Sequence, residues 1–114
     1  MFIDILIEVN KNLVEYYKAL ANPVRLAVFL YIANESKGAA PSTPNEESCV
    51  TAISRALSLP QPTVSNHLKV LKNAGLVKSV NKDTHCYQYI TKKATETLFE
   101  HTKYLFKQAH SNPY

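Results

Sequence analysis

Apolar side chains recur along the first twenty residues with the spacing of a helix. They stand in alternating steps of four and three at Phe2, Leu6, Val9, Leu13, Tyr16 and Leu20. Such a seam typically packs one helix against another. The pair Asn22-Pro23 then interrupts the pattern with a capping-type residue and a proline suited to the first turn of a new helix. That second helix is expected to be largely buried, because it carries apolar side chains at Leu26, Val28, Phe29, Leu30 and Ile32.

A polar stretch follows at residues 35–48, where the chain has two prolines, one glycine and no large apolar side chain. This composition cannot bury enough surface to offset the entropy of ordering, so we expect an exposed, mobile loop. Neither flank could form a hydrophobic core alone. We therefore expect residues 1–114 to form a single domain that contains the loop.

Two further helices are predicted after the loop. The first is short, with Val50, Ile53 and Leu57 on one face, and it ends at residues 58–60, Ser-Leu-Pro. The second runs from about Gln61 to Asn73 and presents Val64, Leu68 and Leu71 on one face. Gly75 suits the left-handed conformation that ends a helix.

The remaining pattern indicates a β-hairpin and a last helix. Residues 76–80 alternate as a strand, residues 81–84 form a polar turn, and residues 86–90 return as a second strand. From Lys92 to about His110 the chain is again helical. The predicted fold class is mainly α with one β-hairpin, and two helices joined by a tight turn before a hairpin form a winged helix-turn-helix.

The helix at residues 61–73 has an outer face suited to reading DNA. Once its apolar face is buried, the residues left near solvent are Gln61, Thr63, Ser65, Asn66, Lys69, Lys72 and Asn73. Glutamine and asparagine pair with adenine through two hydrogen bonds, and the threonine methyl meets the thymine methyl. Serine and lysine suit phosphates. The helix carries no acid, whereas a merely solvated helix usually mixes glutamate with its lysines.

The charge distribution agrees with this interpretation without deciding it. The chain has a net charge of +4, yet residues 61–93 carry six lysines and one aspartate, or +5, and the rest carries −1. A localised lysine excess is what phosphate neutralisation needs. A solvated lysine face would look the same, so charge alone favours neither interpretation.

Three segments resemble the ArsR-type winged-helix repressors. They are LANPVRL at residues 20–26, PQPTVSNHLKVL at 60–71 and NAGLV at 73–77. The resemblance spans roughly residues 17–90 and implies a homodimer built on the first and last helices. It also implies a palindromic operator, released when a metal or another signal is sensed. The candidate DNA contacts are Gln61, Thr63, Ser65, Asn66, His67, Lys69, Lys82, Thr84 and His85, of which the first four match the family's usual base-contacting positions.

The resemblance does not extend to a metal site. Cys49 matches the first cysteine of the family's metal box, but Thr51 and Ala52 stand where the second cysteine and the aspartate would be. One thiolate is too few for a soft metal. The favoured interpretation of Cys49 is a half-buried small apolar residue at a helix start, and a redox-reactive thiol is the minor one. Cys86 and the adjacent His85 point to opposite faces of a strand. We expect no metal and no cofactor.

Other function classes fit less well. A winged-helix module for protein partners would show an acidic or apolar outer face. An enzyme is disfavoured, because two glycines cannot build a nucleotide-cradling loop and no catalytic spacing appears. No apolar run approaches the roughly 20 residues of a membrane span, and the N-terminus is wrong for a secretory signal. We therefore expect a cytoplasmic DNA-binding repressor whose inducer is unknown.

Overall fold

A computed structural model describes residues 11–35, 49–82 and 85–114, apart from the side chains of Lys11, Lys82 and His85. In these ranges the chain forms five helices and a two-stranded hairpin. They are α1 (Lys11–Leu20), α2 (Pro23–Asn34), α3 (Cys49–Leu57), α4 (Gln61–Asn73), β1 (Val77–Lys82), β2 (His85–Ile90) and α5 (Lys92–His110). Residues 2, 6 and 9 of the predicted seam lie outside the described residues, as does all of the predicted loop except Glu35.

The core lies where α2, α3 and α4 meet, with α1 and the base of the hairpin closing it. Its buried members include Tyr16, Ala19, Val28, Phe29, Ile32, Ile53, Val64, Leu68, Leu71, Leu76, Val77 and Ala94. The expectation that α2 is largely buried is only partly right. Leu26 and Leu30 lie on its outer side and are 37% and 56% exposed.

The α1–α2 junction forms as Asn22-Pro23 predicts. Asn22 is the N-cap residue of α2, and its side-chain oxygen accepts a hydrogen bond from the backbone N–H of Arg25 at 2.9 Å. Pro23 is the first residue of the helix, where its missing N–H costs nothing. The cap fixes the direction in which α2 leaves α1.

Helices α3 and α4 end with the same backbone motif. At the end of α4, Gly75 has φ +85°, and the N–H of Leu76 donates to the carbonyl of Leu71 at 3.0 Å. At the end of α3, Ser58 has φ +54°, and the N–H of Leu59 donates to the carbonyl of Ser54 at 3.0 Å. Both are Schellman-type ends, in which one left-handed residue turns the chain sharply out of the helix. The end at Ser58 sets the tight turn between α3 and α4.

The hairpin pairs antiparallel from Val77 opposite Ile90 to Lys82 opposite His85. Both strands reach further toward the turn than predicted, because the polar residues at 81 and 82 continue the ladder. Two hydrogen bonds from Thr91 connect the base of the hairpin to the end of α4. Its N–H donates to the Leu76 carbonyl at 3.0 Å, and its hydroxyl donates to the Gly75 carbonyl at 2.6 Å.

Candidate nucleic-acid interface

The outer face of α4 is polar and solvent-exposed. Val64, Leu68 and Leu71 are buried against the core, which fixes the rotation of the helix about its axis. The side chains left outside follow from this rotation: Gln61, Ser65, Asn66, Lys69, Lys72 and Asn73 are exposed, and Thr63 is half-buried. The structure thus brings together on one helix the residues that the sequence predicts as a DNA-reading set. Their contacts with DNA stay a prediction.

His67 differs from its neighbours because it faces α2. It is half-buried, and its Nδ1 lies 3.4 Å from the Nη1 of Arg25. Burial lowers the pKa of His67, and the adjacent Arg25 charge lowers it further. A neutral imidazole can accept a hydrogen bond from the guanidinium through Nδ1. The structure therefore places His67 beside Arg25 and off the exposed polar face.

Arg25 links three helices. Its Nε donates to the carbonyl of Ala19, and its Nη2 lies 3.4 Å from the carbonyl of Lys18, both in the last turn of α1. A cation at a helix C-terminus is favourable, because the unpaired carbonyls there carry negative partial charge. Through His67, the same side chain reaches α4. The pairing of Arg25 with His67 is not predicted from the sequence, since the two lie 42 positions apart.

The hairpin adds polar surface beside α4. Lys78 and Ser79 are exposed on β1. Lys82 and His85 pair at the end of the hairpin, but their side chains are not described, and Thr84 lies outside the described residues. The predicted DNA contacts of these three residues stay a prediction.

Cys49 and Cys86 are neighbours in the fold. Cys49 is buried at the start of α3, and its thiol donates to the backbone carbonyl of Cys86 on β2. The amide of the buried Gln88 lies 3.6 Å from the Cys86 sulfur, and Ser79 donates to the Gln88 carbonyl oxygen at 3.0 Å. Burial raises the pKa of the Cys49 thiol to about 11, and the nearby Cys86 contributes. Cys49 begins a helix as its sequence interpretation expects but is buried rather than half-buried, and the proximity of the two cysteines is not predicted.

The positions that follow Cys49 lack the further ligands of the family's metal box. Thr51 and Ala52 supply no second thiolate or carboxylate. Within residues 11–35, 49–82 and 85–114, no group of three or more histidine, cysteine or acidic side chains could hold an ion. In those same ranges no helix has the length and hydropathy of a membrane span.

Comparison with known proteins identifies the family. A model described as bacterial regulatory protein, arsR family, matches residues 44–79. The uncharacterized HTH-type transcriptional regulator MJ1325 of Methanocaldococcus jannaschii is 37% identical over 76 residues, which cover 67% of this chain and 74% of that protein. The chain belongs to the ArsR family of transcriptional regulators.

Two further proteins are similar to this ArsR-family chain. The HTH-type transcriptional repressor SmtB of Mycobacterium tuberculosis is 41% identical over 63 residues, 55% of this chain and 38% of SmtB. The homodimeric winged helix-turn-helix DNA-binding domain of Mb0332 from Mycobacterium bovis aligns with a TM-score of 0.58 at 24% identity. The alignment covers 90% of this chain and 86% of that one. The winged helix-turn-helix fold predicted from the sequence is confirmed.

Proposed function

We propose that this ArsR-family regulator is a homodimeric repressor that binds double-stranded DNA sequence-specifically and inserts α4 into the major groove. The exposed, acid-free face of α4 carries the proposal. In a helix-turn-helix, the N-terminal residues of the second helix contact the base edges. In α4 that end presents Gln61, Ser65 and Asn66 to solvent, with Thr63 half-buried beside them. Amide side chains at this position suit adenine, and the threonine methyl suits thymine.

Exposed lysines supply the phosphate contacts in this proposal. Lys69 and Lys72 lie on the second half of α4, and Lys78 lies on β1 close by. Each phosphate that a lysine neutralises releases condensed counterions, so binding should weaken steeply as salt rises. The hairpin would follow the DNA backbone beside the groove, and we propose Lys82, Thr84 and His85 as further DNA contacts.

The proposed dimer is built on α1 and α5. Beyond Leu98, α5 leaves the core and exposes large apolar side chains at Phe99, Tyr104, Leu105 and Phe106, which are 51–63% exposed. Tyr17 of α1 lies against this helix, with its hydroxyl 2.6 Å from the Nδ1 of His101. Contiguous apolar surface on a soluble protein typically marks an interface. The homodimeric M. bovis domain supports a second copy of this chain as the partner.

Two-fold symmetry would set the form of the operator. A dimer presents two copies of α4, which reach successive major grooves when their half-sites are about 10 base pairs apart. The operator should therefore be palindromic. Because the chromosome of a prokaryotic cell lies in the cytoplasm, the proposal places the protein there.

Light scattering combined with DNA titration tests the proposal. The expected result is a dimer mass at micromolar concentration, and saturable binding of a short duplex with two protein chains per duplex. A monomer mass at that concentration would contradict the dimer. Equal affinity for all duplex sequences would contradict sequence-specific reading. A module for protein partners would bind no duplex, and the exposed face of α4, which is neither acidic nor largely apolar, argues against it.

A further inference from the structure

The contact between the two cysteines joins the wing to the helix-turn-helix. Cys49 begins α3, which leads into the turn before α4, and Cys86 lies on β2. They stand 37 positions apart in the chain, yet the Cys49 thiol donates to the Cys86 carbonyl. Cys86 is close enough to contribute to the raised pKa of the Cys49 thiol. Both are free, and they are the only cysteines of the sequence.

A polar side chain lies beside the Cys86 sulfur. The amide of the buried Gln88 points at it from two residues along the same face of β2, at 3.6 Å. On the paired strand, the hydroxyl of Ser79 donates to the side-chain carbonyl oxygen of Gln88. A cysteine attacks as its thiolate, and the Gln88 amide lies beside the sulfur that would carry the charge. Cys86 is also partly exposed, whereas Cys49 is buried.

We propose that Cys49 and Cys86 form an oxidative modification site, at which a hydroperoxide converts the two thiols into an intramolecular disulfide. The Cys86 thiolate attacks the outer oxygen of the hydroperoxide, the O–O bond breaks, and water or an alcohol leaves after taking a proton from solvent. Cys86 is then a sulfenic acid. The Cys49 sulfur attacks this sulfur and forms the S–S bond, and the hydroxyl of the sulfenic acid leaves as water with the Cys49 proton. The thiols lose two electrons and the peroxide gains them.

The different environments of the thiols determine the order of these steps. Cys86 reacts first because solvent and peroxide reach it. Cys49 stays protonated and protected until a sulfenic acid forms beside it. Because the Cys49 thiol already contacts the backbone of Cys86, the second step is effectively intramolecular, which offsets the low thiolate fraction of a buried cysteine.

Disulfide formation should change the wing, and this part rests on the proposed DNA-binding function. The new bond removes the Cys49 proton, so the Cys86 carbonyl loses its hydrogen bond from Cys49. It also draws β2 toward the start of α3, because a disulfide holds its two sulfurs about 2.0 Å apart. The hairpin would leave its position beside α4. We expect the oxidised protein to bind DNA more weakly by about fivefold or more.

Intact mass tests the modification site without reference to DNA. The reduced full chain is treated with equimolar hydrogen peroxide, alkylated and weighed under non-reducing conditions. The expected product is a covalent monomer about 2 Da lighter that takes up no alkylating agent, because it has lost two hydrogens. Since the chain has two cysteines, such a product can contain only the Cys49–Cys86 bond. Addition of oxygen without a cross-link, or a cross-link between two chains, would overturn the proposal.

Matched variants test the order of the steps. In Cys49→Ser, Cys86 should still gain oxygen or form a cross-link between chains. In Cys86→Ser, the buried Cys49 should remain an intact thiol under the same treatment. The reverse pattern would show that the assigned roles are wrong.

A DNA titration of the same samples tests the effect on the wing. Peroxide should weaken binding of the wild-type protein to a selected duplex, a thiol reductant should restore it, and neither variant should respond. A disulfide-bonded protein with unchanged affinity would refute the wing effect. If the reduced protein binds no duplex at all, the proposed function fails, whereas the mass result still decides the modification site.

Discussion

Replacing Asn66 by alanine separates DNA reading from stability. Asn66 is exposed on α4, and its side-chain amide makes no hydrogen bond with the residues that the structure describes. The fold therefore loses nothing, and alanine is in addition a better helix former than asparagine. The proposed complex loses a bidentate contact with adenine, worth about 1–3 kcal/mol. A dimer loses it in both half-sites, so the total is about 2–6 kcal/mol for one operator.

Asn73 provides a matched control for Asn66. It is also exposed, and it lies seven residues later on α4, which is nearly two full turns and about 10 Å along the same face. At the C-terminal end of a recognition helix it should lie away from the bases. Asn73→Ala should therefore bind DNA nearly as tightly as the wild type.

Fluorescence anisotropy measures both variants on one duplex, chosen by the wild-type protein from a random-sequence pool, and on a scrambled duplex. Salt is held constant, because affinities at different salt concentrations cannot be compared. Asn66→Ala should lose affinity for the selected duplex and keep its weak affinity for the scrambled one. If Asn66→Ala binds the selected duplex within twofold of wild type, or if Asn73→Ala weakens it equally, the reasoning about the reading face is wrong.

Three further predictions concern the scaffold that positions α4. Leu71→Ala should lower the free energy of unfolding in urea by about 2–5 kcal/mol, because Leu71 is fully buried on the inner face of α4. A loss below about 1 kcal/mol would contradict its place in the core. Ser58→Gly should raise the free energy of unfolding by up to about 1 kcal/mol, because glycine adopts φ +54° without the strain of a side chain. A less stable variant would show that the backbone of Ser58 is not strained. The pKa of His67 is lower in the folded chain than in the unfolded chain, so the unfolded chain binds more protons. The free energy of unfolding should therefore fall as the pH falls through the ordinary histidine range near 6.5. Urea titrations between pH 8 and 5 should show a smaller loss in His67→Gln than in wild type, and an equal loss would refute the prediction.

The sequence predicts α4 well because every local signal agrees. Pro62 favours the first turn, Val64 and Leu68 define the buried face, and Gly75 allows the left-handed residue that ends the helix. The predicted limits 61–73 coincide with those of α4. The exposed face then follows from helical geometry alone, which is why Gln61 and its polar neighbours are found where expected.

Features that depend on distant contacts are not predicted. Asn81 and Lys82 look like turn residues by composition, yet they continue the ladder because their partners on β2 are in register. Nothing local in the sequence indicates that Leu30 faces outward. The contact of Cys49 with Cys86 arises only when α3 packs against the hairpin, and it leaves no periodic signal in the chain.

Sequencing of the DNA that the wild-type protein selects from a random pool shows whether α4 reads an operator. One enriched motif with two-fold symmetry is expected, its half-sites centred about 10 base pairs apart. The motif should be lost when the selection is repeated with a Gln61→Ala, Asn66→Ala double variant that is folded. Enrichment of no motif by the wild type, or of the same motif by the double variant, would contradict the claim that α4 reads the operator.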